Sequence, residues 1–115
     1  MQILCYPGCT TCKKAVKWLD EKGVEYEYRD IKEKNPKKSE LKKWIKASGL
    51  PVKKFFNTSG QLYREMQLKD KLPEMSEAEM IDLLATDGLL VKRPLLITDD
   101  KVLVGFKEAE WEEVC

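Results

Sequence analysis

Apolar positions along the chain change period twice, and the changes mark its elements. Met1 to Tyr6 carries apolar residues on both parities, Met1, Ile3 and Cys5 against Leu4 and Tyr6, the pattern of a strand covered on both faces. Pro7-Gly8 ends it. From Thr10 the spacing becomes helical, with Cys12, Ala15, Val16 and Leu19 at i, i+3, i+4 and i+7 and Gly23 as the C-terminal cap. Val24 to Ile31 alternates again, Val24, Tyr26 and Tyr28 against Glu25, Glu27 and Arg29, which predicts a strand with one wetter face. Helical patterning returns after the charged turn at residues 32–38. Ser39 is the expected N-cap, Leu41, Trp44 and Ile45 the stripe, and Gly49 the stop. Pro51 opens a short turn of helix with Val52, Phe55 and Phe56 on one face, and Leu62 with Met66 suggests another. Ser76-x-x-Glu79 is a capping box for a helix bearing Met80, Ile81, Leu83 and Leu84, closed by Asp87-Gly88. After Arg93-Pro94, Leu95–Thr98 and Val102–Val104 flank Asp99-Asp100 as a hairpin, and Gly105 closes the second strand. Lys107 to Val114 reads as a last helix, with Ala109 and Val114 facing inward.

The order is therefore β-α-β, a helical insertion over about residues 32–92, then β-β-α. This predicts an α/β protein of thioredoxin-like topology with a mixed four-stranded sheet, one domain spanning residues 1–115.

Composition narrows the chemistry. Lys and Arg number 21 and Asp and Glu 20, a net charge of +1, so no overall field draws the chain to nucleic acid or anionic membrane. The runs Lys37-Lys38, Lys42-Lys43 and Lys53-Lys54 are interleaved with Trp44, Phe55 and Phe56, but those aromatics sit at core spacing, so no direct nucleic-acid contact is expected. No apolar run approaches the roughly 20 residues of a membrane span. The chain opens directly into Gln2-Ile3-Leu4 without leader-like features, and a cytoplasmic location is expected. Histidine is absent, which removes Ser-His-Asp and Cys-His catalysis and the histidine-bearing metal sites. Three of the four cysteines crowd into Cys5, Cys9 and Cys12, which points to redox or metal chemistry rather than to structural disulfides.

Cys9-Thr10-Thr11-Cys12 lies between a covered strand and the start of an amphipathic helix. Free N–H groups and the positive helix end favour a thiolate there without histidine, and Cys9 is the residue placed to benefit. Cys12 falls one turn in, on the apolar stripe, as a natural resolving thiol. A pair of inert buried thiols is the plain alternative, and a zinc site of Cys5, Cys9, Cys12 and Cys115 the sharper one; with Cys5 mid-strand and no second C-x-x-C, no metal is expected. Cys5 is then a small core residue and Cys115 a free terminal thiol. In thioredoxin-like proteins a proline just before the third strand is cis and lies beside the reactive cysteine, so Arg93 is expected near Cys9, where a guanidinium stabilises thiolate and oxyanion alike. The bland alternative is a surface arginine before a trans proline. Cys9, Cys12 and Arg93 are thus the expected catalytic residues, with Thr10, Thr11, Arg93 and Pro94 binding substrate.

With Tyr6-Pro7-Gly8-Cys9, residues 90–95 and the closing Val102-Leu103-Val104-Gly105-Phe106, the sequence resembles the arsenate reductase family of the thioredoxin superfamily, including its Spx-like regulator branch. The resemblance implies a thiol-dependent oxidoreductase. In it the cysteine matching Cys9 attacks arsenate, the arginine matching Arg93 binds the oxyanion, and glutathione with glutaredoxin, or thioredoxin, supplies electrons without a bound cofactor. Asn57 and Gly105 stand where the glutaredoxin-linked reductases have two further arginines, and Arg64 and Lys54 are candidates to supply the missing charge. Cys12 matches the second cysteine of the regulators, whose C-x-x-C is a redox switch. Those regulators bind the C-terminal domain of the α subunit of RNA polymerase, partly through a glycine near the position of Gly49, which makes that domain the partner in the alternative reading.

Overall fold

The computed structural model describes residues 1–115. Four strands, β1 (Gln2–Cys5), β2 (Glu27–Asp30), β3 (Leu95–Ile97) and β4 (Val102–Val104), form one sheet in the order β2-β1-β3-β4. β1 runs parallel to β2 and antiparallel to β3, and β3 and β4 form the hairpin. The helices are α1 (Thr10–Lys22), α2 (Lys38–Ser48), α3 (Gln61–Glu65), α4 (Leu68–Lys71), α5 (Glu77–Leu84) and α6 (Glu108–Val114). The expected mixed sheet and thioredoxin-like order are present. The helical middle stays out of the sheet, touching its own later segment through one bridge, Phe56 to Val91.

The sheet separates two cores, which explains the mixed parity of β1. Leu4 and Leu95 face the helical insertion, packing with Leu41, Phe55, Leu84 and Leu90. Ile3, Cys5 and Leu96 face the other way, against Cys12, Ala15 and Leu19 of α1 and Trp111 of α6. With both faces covered, alternate residues of a strand can all be apolar.

Several boundaries differ from the sequence expectation. β2 is shorter than Val24–Ile31, and Tyr28, expected on the drier face, is 45% exposed because β2 is an edge strand. α2 begins after Lys37 rather than Ser39: the Glu40 carboxylate accepts the Lys37 N–H at 3.0 Å and two guanidinium bonds from Arg29 at 2.7 and 2.9 Å. Asp87-Gly88 does not close α5. It opens a 3-10 turn in which the Asp87 carboxylate accepts the Leu89 N–H, and a Cβ at Gly88 would overlap the Ile31 carbonyl. In α6, Ala109 is exposed and Trp111 is the buried residue, its Nε1–H donated to the Gly105 carbonyl at 3.1 Å and its ring edge-on to Phe106 at 4.9 Å. The Ser76–Glu79 capping box forms as written in the sequence.

Candidate thiol site

The site starts where β1 turns into α1. Cys9 is the N-cap: its backbone is extended, its N–H is donated to the Tyr6 carbonyl at 2.9 Å, and its own carbonyl accepts the Lys13 N–H. The amides of Thr10, Thr11 and Cys12 have no backbone acceptor, as the geometry of a helix start requires, so three N–H dipoles point out beside the Cys9 thiol. Cys9 is half-buried, whereas Cys12 is 2% exposed. All four cysteines are reduced.

The Cys12 Sγ accepts the Tyr6 N–H at 3.5 Å. The neighbouring Cys5 thiol most of all, then that amide, the Cys9 thiol and the Arg93 charge, outweigh the cost of burial and pull the Cys12 pKa down to about 6. Cys5 is pushed the other way, by the Cys12 thiol beside it and by its own burial. The thiol whose pKa is lowered is thus the buried one of the pair, Cys12.

The Arg93-Pro94 peptide is cis, and Arg93 stands across from the cysteine turn. Its guanidinium lies 5.2 Å from the centre of the Tyr6 ring, and Nη1 makes one long bond, 3.4 Å, to the Leu89 carbonyl. Its Nε is buried without a partner, and its backbone amide has no backbone acceptor. A cleft of about 850 Å³ holds Cys9, Thr11 and Arg93 together with Lys54, Lys92 and Lys107, and no carboxylate lines it. Lys54 and Lys92 form no ion pair, while Lys107 reaches Glu110 at 3.6 Å.

Of the expected substrate-binding residues, Thr11 and Arg93 line this cleft. Thr10 is exposed outside it, and Pro94 is buried behind it, where its carbonyl accepts the Gly105 N–H. Asn57 and Gly105 both face the cleft, so the two positions singled out by the resemblance belong to the site. Lys54 supplies charge there; Arg64 is not among the lining residues. The side chain of Lys92 passes 3.6 Å from where a Cβ at Gly105 would sit, so a lysine occupies the space left by the glycine. Sequence reasoning missed Lys92 and Lys107; the signal for them was adjacency to Arg93 and Gly105. No group of three or more Cys, Asp or Glu side chains is arranged to hold a metal ion.

A thiol at the start of α1, a second thiol one turn in and a cis-proline loop opposite them define a thioredoxin-like thiol protein. The ArsC family model matches residues 4–114, and the chain belongs to that family. A solved ArsC family related protein from Bacteroides fragilis is 59% identical, with a TM-score of 0.97 over 99% of this chain and 96% of that one. A Streptococcus mutans protein described as a possible arsenate reductase is 43% identical, with a TM-score of 0.90 over 99% and 97%. The regulatory protein MgsR of Bacillus subtilis is 28% identical over 105 residues, 91% of this chain and 82% of MgsR.

Proposed function

We propose that the protein is a thiol-dependent oxidoreductase in which Cys9 is the nucleophile and Cys12 the resolving thiol, acting on an anionic disulfide or an oxyanion such as arsenate. The observation that carries this reading is the unpartnered, buried Nε of Arg93 in a carboxylate-free cleft shared with Cys9. A guanidinium donor left unpaired at a nucleophile is arranged for an incoming acceptor.

With a disulfide, Cys9 passes its proton to the Cys12 thiolate and attacks one substrate sulfur; the substrate S–S bond breaks and the other half leaves as a thiol after taking up a proton. Cys12 then loses its proton and attacks Cys9 Sγ, forming the Cys9–Cys12 disulfide and releasing the second thiol. An external dithiol, or two low-molecular-weight thiols, returns two electrons and restores the pair. With arsenate, Cys9 displaces water to form an arsenic–sulfur bond, and attack of Cys12 on Cys9 Sγ sends that bond's electron pair to arsenic, giving arsenite. The Arg93 fork and the free N–H groups of α1 bind the oxyanion. Thioredoxin, glutaredoxin or glutathione is the reductant class this chemistry calls for. Purified protein assayed with arsenate, glutathione and glutaredoxin, beside a thioredoxin-coupled disulfide assay, tests the reading. Turnover in either assay that depends on Cys9 supports it, and inactivity in both overturns it.

A second reading is a redox-sensing regulator acting on RNA polymerase through its α subunit. It is favoured by the MgsR relationship and by Leu50, which is 40% exposed beside the left-handed cap Gly49 and lies at the rim of the Cys9 cleft, where oxidation would be felt. Binding of the polymerase α C-terminal domain to the oxidised and reduced chain decides it.

A further inference from the structure

Arg93 is anchored at the cysteine cleft without a carboxylate. It forms no ion pair, its side chain makes one long hydrogen bond, from Nη1 to the Leu89 carbonyl at 3.4 Å, and its Nε is buried without a partner. What faces it is the ring of Tyr6, whose centre lies 5.2 Å from the guanidinium carbon. That ring is tied to the cysteine turn. The Tyr6 N–H is donated to Cys12 Sγ at 3.5 Å, its carbonyl accepts the Cys9 N–H at 2.9 Å, and the ring edge lies against Gly8, where a Cβ would come within 2.9 Å of Cε2. Tyr6 lines a groove along α1 with Pro7, Val16 and Tyr28, not the cleft that holds Cys9 and Arg93, so it meets the guanidinium from behind the site.

We propose that Tyr6 is a positioning residue for Arg93: its ring holds the guanidinium beside Cys9 and leaves the charge and the N–H groups free for an anionic reactant. The role rests on the reading of Arg93 as the anion-binding group, given above. A ring face attracts a guanidinium through its quadrupole, most of all where water is excluded, and carries no net charge to offset the cation. A carboxylate in the same place would hold Arg93 by paired hydrogen bonds, but it would occupy those N–H groups and cancel the field at the thiol. Because the backbone of Tyr6 bonds Cys9 and Cys12, its ring links an arginine distant in sequence to both cysteines. A side-chain substitution at Tyr6 removes the ring and leaves those backbone groups in place.

The test compares two alkylating reagents at one sulfur. Iodoacetate is an anion and iodoacetamide its neutral counterpart; each forms a carbon–sulfur bond with the Cys9 thiolate and releases iodide, and peptide mapping of the full chain gives the rate at Cys9 alone. The ratio of the two rates reads the cation beside Cys9, and any change in the thiol's own reactivity cancels from it. Arg93→Ala and Tyr6→Leu are each expected to lower the iodoacetate/iodoacetamide ratio by about fivefold, while Tyr6→Phe, which keeps a ring, stays within about twofold of wild type. With Arg93 already replaced by Ala, Tyr6→Leu should lower the ratio no further. Where Tyr6→Leu does not fold, Gly8→Ala takes its place with the same expected fall, since its Cβ displaces the ring edge without removing the ring. Three results overturn the proposal while Arg93→Ala still lowers the ratio: no fall in the ring variant, a fall in Tyr6→Phe as large as in Tyr6→Leu, or an equal fall in the Arg93→Ala background. If Arg93→Ala itself leaves the ratio at the wild-type value, Arg93 binds no anion at Cys9, and the reading in which it receives the substrate fails together with this role.

Discussion

In the proposed reaction Cys9 and Cys12 divide the work by position. Cys9 faces the cleft as the helix cap, and Cys12 sits one turn in, buried and accepting the Tyr6 N–H. Cys9→Ser is therefore expected to abolish turnover, whereas Cys12→Ser should still attack and then stall, leaving a mixed disulfide or arsenic adduct on Cys9 that mass spectrometry reads directly. The pH profile follows from the proton acceptor. With its pKa lowered to about 6, Cys12 is a thiolate above that value and is protonated as the pH falls through it. The rate of adduct formation should fall on the acid side with an inflection near pH 6, and Cys12→Ser should lose that inflection while keeping the attack itself. Arg93 is tested by shape rather than charge. Arg93→Lys keeps a cation but removes the planar fork, so oxyanion-dependent turnover should drop by tenfold or more, about 1.4 kcal/mol in transition-state binding, with disulfide exchange less affected. Equal losses in both assays would show that the guanidinium geometry does not select oxyanions.

Elements are joined by contacts distant in sequence, and these govern stability. Arg29 of β2 spans to α2 with two bonds to Glu40, donates to the Lys34 and Asn35 carbonyls, and lies 5.8 Å from the Trp44 ring centre. Arg29→Ala should lower unfolding free energy by about 2 kcal/mol, read as a fall in denaturant midpoint, since it strands a carboxylate and two carbonyls in a half-buried setting. Arg29 and the Lys37 N–H hold the Glu40 carboxyl below its ordinary 4.5. A folded-state pKa below the unfolded one gives stability that is complete above about pH 4.5 and lost as the pH falls through the folded value. Wild type should thus lose more stability on acidification than Arg29→Ala does. This contact also shows where the sequence is legible. The Ser76–Glu79 box, the Gly23 and Gly49 caps and the C-x-x-C turn are local patterns whose partners lie within a few residues, and each is found where the pattern puts it. Ser39 loses its place as cap because Glu40 is fixed from β2, and Gly88 is required by the passing Ile31 carbonyl rather than by the end of α5. Ala109 sits outside because the deep position in α6 is filled by Trp111, bonded back to Gly105. Each of these depends on a neighbour that local periodicity does not show. The same holds at the site, where the cysteines and Lys54 were readable and Lys92 and Lys107 were not.

Taken over the whole molecule the charges nearly cancel, at +1, yet they are not evenly spread. Arg93, Lys54, Lys92 and Lys107 share one cleft without a carboxylate, while Glu108, Glu110, Glu112 and Glu113 are carried by the exposed side of α6. A concave site with low-dielectric walls focuses the field of its own lining, so a small reactant feels the local cations far more than the net charge. The expected result is a preference for anionic partners of Cys9. At low ionic strength a disulfide bearing carboxylates should react with the reduced protein about tenfold faster than a cationic disulfide of similar size and intrinsic reactivity. Raising the salt to about 1 M, where the Debye length is about 3 Å, should bring the two rates together. Lys54→Glu with Lys92→Glu should reverse the preference without touching Cys9, Cys12 or Arg93, and stopped-flow measurement of thiol release gives each rate. A salt-independent ratio, unchanged in the double variant, would mean that the lysines lie too far from the reacting sulfur to choose its substrate. Arg93 and the α1 amides would then be the whole of the anion site.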